Sequence, residues 1–261
     1  MVNLNNIRQY FPADIRDNAL FGKSMLKEYI QLSILDFLST SHYIRKLCLI
    51  GGTNLRLVNG IDRFSEDIDF DCKEMGREEF FTMNNDILSF LLRSGYKAEF
   101  RDKTNKKLTA LRRSIFFPEF LFDLGLSGHR EERFLIKVEA EDQGVPYKPV
   151  TVNILGCGFF FPFPVPPDQV LCSMKATALL ERGKGRDFYD FMFLLGKIKP
   201  DYHFLSERTG IKNSDELKSA LKIICSNTDL QKKARDFEHL LINKEKALGI
   251  LRFGEFIEDM L

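Results

Sequence analysis

Two short stretches of this chain bring together the residue types that chemistry on phosphates requires. The first is Leu49-Ile50-Gly51-Gly52-Thr53-Asn54-Leu55-Arg56, and the second is Arg63-Phe64-Ser65-Glu66-Asp67-Ile68-Asp69-Phe70-Asp71. A strand that stops at two glycines and opens a helix leaves backbone N–H groups at the helix start, and with no Cβ in the way a phosphate approaches closely. Taken alone, the same turn is also an ordinary strand-to-helix connection capped by Thr53. In the second stretch, strand alternation puts Asp67, Asp69 and Asp71 on one face and Ile68 and Phe70 on the other. Carboxylates crowded on one face repel each other unless a cation or basic groups join them. Hard divalent ions such as Mg²⁺ take carboxylate oxygens and keep sites open for substrate phosphates. A Gly-Gly turn followed by Asp-x-Asp therefore points to a site for metal and polyphosphate.

The charge distribution agrees. Residues 62–79 hold eight acids against three bases, whereas 101–113 holds six bases against Asp102 alone. A Lys-rich hairpin tip gives the same basic run without any ligand. A third concentration follows a helical stripe of Lys175, Leu179 and Arg182, with Lys184 and Arg186 in the glycine-flanked turn after it. The plain structural readings here are a snorkelling Lys175, an Arg186–Asp190 pair one helical turn apart, and Asp187 as the cap of the next helix. His42, His129, His203 and His239 are dispersed and form no nucleophilic set.

The elements that must position these residues follow from periodicity. The spacing predicts a helix over 20–38, a strand over 46–50, a brief helix from Thr53, a strand over 65–72 and a helix over 77–92. Further strands are expected over 97–101, 108–117, 134–141 and 150–155. A Phe/Pro-rich link over 159–167 then leads to helices over 168–181, 187–197, 214–224, 229–241 and 244–260. The expectation is an α/β domain with a mixed sheet over 1–158, a C-terminal helical domain over 159–261, and a cleft between them.

Composition bounds the rest. With 38 Lys+Arg against 37 Asp+Glu over 261 residues, the chain is not a uniformly basic coat for nucleic acid, so any polyanion site is local. Phe, at 25 residues with no Trp, is the main core filler. Five scattered cysteines suit reduced, mostly buried thiols of a cytoplasmic protein rather than a disulfide framework or structural zinc. The first ten residues lack the apolar core of a signal peptide, and the most apolar run, 156–165, is short for a bilayer and broken by Pro162 and Pro164. No membrane segment is expected.

An apolar residue, Gly-Gly, a spacer and two aspartates alternating with apolar residues resembles the signature of the polymerase-β-like nucleotidyltransferases. The fuller string is Gly51-Gly52-Thr53-x-Leu55-Arg56, Arg63-Phe64-Ser65-x-Asp67-Ile68-Asp69-Phe70, then Lys175-x-x-Ala178-Leu179-Leu180-x-Arg182-Gly183-Lys184-x-Arg186-Asp187-x-Tyr189-Asp190. It is similar to the AbiEii family of abortive-infection and type IV toxin–antitoxin nucleotidyltransferases, over about residues 20–195; the remainder matches only as a helical tail. The resemblance implies a polymerase-β-like core. It also implies that Gly51, Gly52 and Thr53 hold the phosphates of an NTP, with Ser65 and Arg56 beside them, and that Asp67 and Asp69 bind two Mg²⁺ ions. A third carboxylate comes from a separate strand in that superfamily. Glu139 and Glu141 point the same way, and Glu139 is taken as the metal ligand. A solvent-facing Lys175 would meet the triphosphate, Asp187 matches the family's later aspartate, and Arg182 and Arg186 fall on substrate. The implied reaction is attack of an acceptor hydroxyl, foremost a tRNA 3′ end, on the α-phosphate of the NTP, with the basic runs tracking RNA phosphates and a cognate antitoxin as partner. The same chemistry on a protein or small-molecule hydroxyl, or a non-catalytic module that binds nucleotide or antitoxin, stays open.

Overall fold

The structure, a computed structural model, describes residues 3–102 and 111–261. Lys103, Lys106 and Lys107 of the basic run, and the first residues of the strand expected over 108–117, lie outside the described residues. The chain forms two compact units, one of Met1–Val58, Phe64–Gln143 and Thr151–Val165, the other of Asn59–Arg63, Gly144–Val150 and Pro166–Leu261. The expected single cut after 158 thus meets a chain that divides after Val165 and lends two short segments to the second unit.

In the first unit, strands β1 (Leu47–Ile50), β2 (Asp67–Cys72), β3 (Glu99–Phe100), β4 (Leu111–Phe116) and β5 (Leu135–Glu141) make a mixed sheet in the order β1-β2-β5-β4-β3. β2 runs antiparallel to β1 and parallel to β5, and β4 runs antiparallel to β5 and β3. Strand alternation sorts β2 as the sequence indicates, with Ile68 and Phe70 buried and Asp67 and Asp69 half-buried on the opposite face. Helices α1 (Leu4–Arg8), α2 (Ala13–Arg16), α3 (Gly22–Ser39), α4 (Gly51–Leu57), α5 (Arg77–Arg93) and α6 (Phe120–Asp123) complete this unit with a hairpin of β6 (Val150–Gly156) and β7 (Phe159–Val165). α3 is buried over much of its surface: Met25, Leu26, Ile30, Leu32, Ile34, Leu35 and Leu38 are wholly buried. It packs on α1, α5 and β7, and burial of each such side chain stabilises the fold by roughly 1.5–3 kcal/mol.

The Phe/Pro-rich segment is a strand and not a link. Phe161, Phe163 and Val165 are buried in alternation with outward-facing Pro162 and Pro164. Among the described residues β7 pairs only with β6 in a two-stranded sheet, which is where a residue without an N–H is tolerated. Cys157 and Gly158, at φ 49° and 83°, form the tight turn between them, and Phe163 stacks on Phe70 of β2 at 6.0 Å.

The second unit is helical: α7 (Asp168–Arg182), α8 (Gly185–Leu195), α9 (Tyr202–Thr209), α10 (Ser214–Ser226), α11 (Leu230–Phe237) and α12 (Phe253–Met260). The helix expected over 244–260 is divided, with a 3₁₀ segment Lys244–Arg252 leading into α12. α9 was not expected, although its ends carry ordinary signals: Asp201 accepts a hydrogen bond from the Phe204 N–H at 3.0 Å, and Gly210 closes it at φ 79°. The cysteines are free thiols. Burial pushes Cys72 up to about 11 and Cys157 and Cys172 up to about 12, so these thiols stay protonated at neutral pH. Among the described residues no helix is long and apolar enough to cross a membrane.

Candidate active site

The Gly-Gly turn sits on the Asp-x-Asp strand. After β1 the chain turns at Gly51 with φ 74°, and a Cβ at this position would fall 2.2 Å from Oδ2 of Asp69. Only glycine fits there, on both conformational and steric grounds. Asn54, buried in the first turn of α4, closes the connection by donating from Nδ2 to the Leu49 carbonyl at 2.8 Å. Thr53 Oγ1 donates to the Asp67 carbonyl at 2.5 Å and lies 3.0 Å from Ser65 Oγ. Both hydroxyls that the resemblance places on phosphate are therefore turned inward, fastening α4 to the start of β2. Arg56 is likewise engaged: its Nε donates to Glu28 at 2.7 Å, and its guanidinium lies 5.0 Å from the centre of the Phe64 ring. What remains for a phosphate at this turn is backbone.

The parallel register of β2 and β5 sets Asp67 beside Lys137, Asp69 beside Glu139, and Asp71 beside Glu141. Asp71 is buried and accepts from the Gln143 N–H at 3.0 Å. Glu139, rather than Glu141, is thus the carboxylate alongside Asp69. Lys137 Nζ donates to the two oxygens of Asp67 at 3.2 and 3.4 Å. Arg112, opposite Glu139 on β4, pairs with it through Nε at 2.7 Å and Nη2 at 2.9 Å. The hydrogen bond to Glu139 raises the Arg112 pKa further, with Asp67 and Asp69 adding to it against partial burial. Lys27 of α3 approaches Glu66 at 3.6 Å; its pKa is lowered by burial, which outweighs the pull of Glu66 and Asp67. Other bases of the run at 101–113 are also engaged, Arg113 with Asp102 at 2.7 Å and Arg101 over the Phe116 ring at 3.9 Å.

Among the described residues, no three His, Cys, Asp or Glu side chains converge as a ready metal-ligand group. The donor chemistry nevertheless fits a hard divalent ion: Asp67 and Asp69 offer carboxylate oxygens from one strand face, Glu139 lies beside them, and the absence of a Cβ at Gly51 keeps that residue from crowding the Asp69 carboxylate.

The later motif residues lie in the second unit. Lys175 is not solvent-facing: it is 6% exposed, and its Nζ donates to Asp190 Oδ2 at 2.8 Å. Arg63 is buried as well and holds both oxygens of the same carboxylate at 2.7 Å. Burial alone would raise the Asp190 pKa, but Arg63 and Lys175 more than offset it and hold the carboxyl well below the usual range. Asp190 thus has these two partners where helical spacing suggested Arg186. Asp187 is fully buried. It takes a two-pronged bond from Arg182 at 2.8 and 2.9 Å and accepts the Lys184 N–H at 3.0 Å, so it closes the first turn of α8 from its third position, not from the cap itself. Arg186 is half-buried.

These two groups of residues, in this order along a mixed sheet and a helical unit, are also what a family comparison recovers. The family model described as "Nucleotidyl transferase AbiEii toxin, Type IV TA system" matches residues 33–246. This chain belongs to the AbiEii family. An AbiEii chain is a nucleotidyltransferase toxin of a type IV toxin–antitoxin system, and this membership makes the protein an enzyme of the transferase class. Among solved structures it is similar to JHP933 from Helicobacter pylori, at 21% identity and a TM-score of 0.54, over 91% of each chain. It is also similar to MenT4, the nucleotidyltransferase toxin Rv2826c from Mycobacterium tuberculosis H37Rv, at 14% identity and a TM-score of 0.58, over 100% of this chain and 91% of the other. At these identities the likeness is one of fold. A comparison with curated proteins finds no match. Within the AbiEii chain, sequence reading gave no role to Lys137 or Lys27, quoted Asn54 in the Gly-Gly motif without a role, and counted Arg112 only among the bases of the run at 101–113. Lys137 and Glu139 alternate on β5 as Asp67 and Asp69 do on β2, which was the available signal.

Proposed function

We propose that this AbiEii-family enzyme transfers a nucleoside monophosphate from an NTP to the 3′-terminal hydroxyl of a tRNA in the cytoplasm, as a toxin restrained by a cognate antitoxin. The observation that carries the reading is Gly51 seated directly on Asp69, within a strand register that sets Glu139 alongside. Backbone N–H groups at Gly51 and Gly52 receive the phosphates, because the side chains of Thr53, Ser65 and Arg56 are committed to holding the turn. Asp67 and Asp69, with Glu139 beside them, hold Mg²⁺. When bound, the metal supplies charge stabilisation at the phosphate oxygens. The acceptor hydroxyl attacks the α-phosphate in line and pyrophosphate leaves. The backbone register of β2 and β5 sets the carboxylates side by side before substrate arrives. In the second unit, Lys175 and Asp187 serve by holding α7 and α8. Arg182 and Arg186, at the junction of those helices, supply positive charge for RNA.

The test is incubation of purified protein with NTPs labelled at the α-phosphate, Mg²⁺ and total RNA. Label is expected in tRNA with the wild type, and a rate lower by about a hundredfold or more with Asp69→Asn. No transfer by the wild type, or equal transfer by both, would overturn the reading. Label in protein instead of RNA would reassign the acceptor.

A further inference from the structure

We infer that Lys137 and Arg112 are built-in counter-ions of the acidic face, which exchange their carboxylates for the triphosphate when the metal takes the carboxylates. This rests on the nucleotidyltransferase reading above and assigns two residues to its substrate.

The two bases stand on neighbouring strands and on the same face as Asp67, Asp69 and Glu139. Lys137 reaches across one strand spacing to both oxygens of Asp67, and Arg112 reaches across another to Glu139. Their side chains keep 36% and 39% of their surface exposed, whereas Asp67 and Glu139 keep 18% and 21%. The bases are thus the more solvent-accessible partners and the acids the more buried ones. Partly exposed pairs of this kind stabilise a fold by about 0–1 kcal/mol, so releasing them is cheap.

Neither ligand is well received alone. A divalent ion entering between Asp67 and Asp69 would face an ammonium and a guanidinium at close range, and those bases would lose their partners. A triphosphate entering alone would meet three carboxylates. Entering together, the metal takes the carboxylates while the phosphate oxygens take the freed Lys137 and Arg112. The planar guanidinium fork suits two phosphate oxygens and the ammonium suits one. Every charge on the face then has an opposite neighbour, and by linkage each ligand favours the other.

The experiment measures binding, not turnover. Mn²⁺ affinity is read by electron paramagnetic resonance in the absence of nucleotide, and inorganic tripolyphosphate affinity is read by calorimetry at saturating Mn²⁺, for the wild type, Lys137→Met and Arg112→Met. Opposite shifts are expected: each variant binds Mn²⁺ about two- to fivefold tighter, having lost a competing cation, and binds tripolyphosphate about five- to tenfold weaker, having lost a charged donor. Shifts of the same sign for both ligands, or none, would overturn the inference, since a purely structural role lowers both affinities. Asp67→Asn separates the underlying reading. If it binds Mn²⁺ as well as the wild type does, the metal assignment fails whatever the two bases do; if it loses Mn²⁺ while the bases show no opposite shifts, only the exchange fails.

Discussion

At the scale of single residues, Lys175 shows how burial changes a role inferred from type. A surface lysine is dispensable for folding, but this one is an interior cation that shares Asp190 with Arg63. Lys175→Ala removes one of the two cations that compensate a buried carboxylate, so it is expected to destabilise the protein by about 1–3 kcal/mol, read as a lower urea midpoint with an unchanged slope. A midpoint equal to that of the wild type would show that the pair carries no stability. The contrast with Asp67 and Asp69 is instructive. Their placement was legible because a strand has a period of two, and alternation alone decides which side chains share a face. The partners of Asp190 and of Asp67 were not legible, because Arg63 and Asp190 stand 127 residues apart and Lys137 and Asp67 stand 70 apart. Pairing at such separation depends on strand register and helix packing, which no local spacing encodes.

At the scale of elements, the sheet strands and the long helices α3, α5 and α7 follow their hydrophobic periodicity, and the departures have identifiable causes. Prolines 162 and 164 suggested a link, yet they face outward from a two-stranded hairpin, whose strands each have an open edge where a residue without an N–H is tolerated. The 3₁₀ segment before α12 falls where Gly249 and Gly254 weaken a continuous helix. Gly185 is the sharpest case. It reads in sequence as flexible punctuation between basic residues, but it opens α8 at the point where α11 passes over it: a Cβ there would lie 1.9 Å from the Lys233 carbonyl and 2.9 Å from the Phe237 ring. Gly185→Ala must push the two helices apart, and the expected cost is about 1–3 kcal/mol. Gly249→Ala, where a Cβ meets nothing within 4 Å, is expected to be neutral or slightly stabilising in the same urea titration. Equal effects at the two positions would mean that the α8–α11 contact is not close.

At the scale of the whole molecule, acids and bases nearly cancel at pH 7, and on acidification individual buried groups act on top of the general positive charge that carboxylate protonation builds. Asp190 is one such group: burial would raise its pKa, but Arg63 and Lys175 hold it well below the usual carboxylate range. Asp62 is lowered in the same way, burial being outweighed by its bonds to Lys246 and Tyr189. A carboxyl with a depressed folded-state pKa contributes its full stability above the unfolded-state value, about 3.9 for Asp. Below that pH the unfolded chain takes up a proton that the folded one refuses. Stability then falls at up to about 1.4 kcal/mol per pH unit per group until the folded-state pKa is also passed. Asp190→Asn has no such proton to take up and leaves two buried cations without a counter-charge, so at pH 7 it is expected to be less stable by about 3–5 kcal/mol. On acidification from pH 5 to pH 3 the wild type should lose stability faster, and the gap between the two should narrow. Urea midpoints measured across that range decide the point: parallel curves for the two proteins would mean that Asp190 is not the group whose protonation undoes the fold.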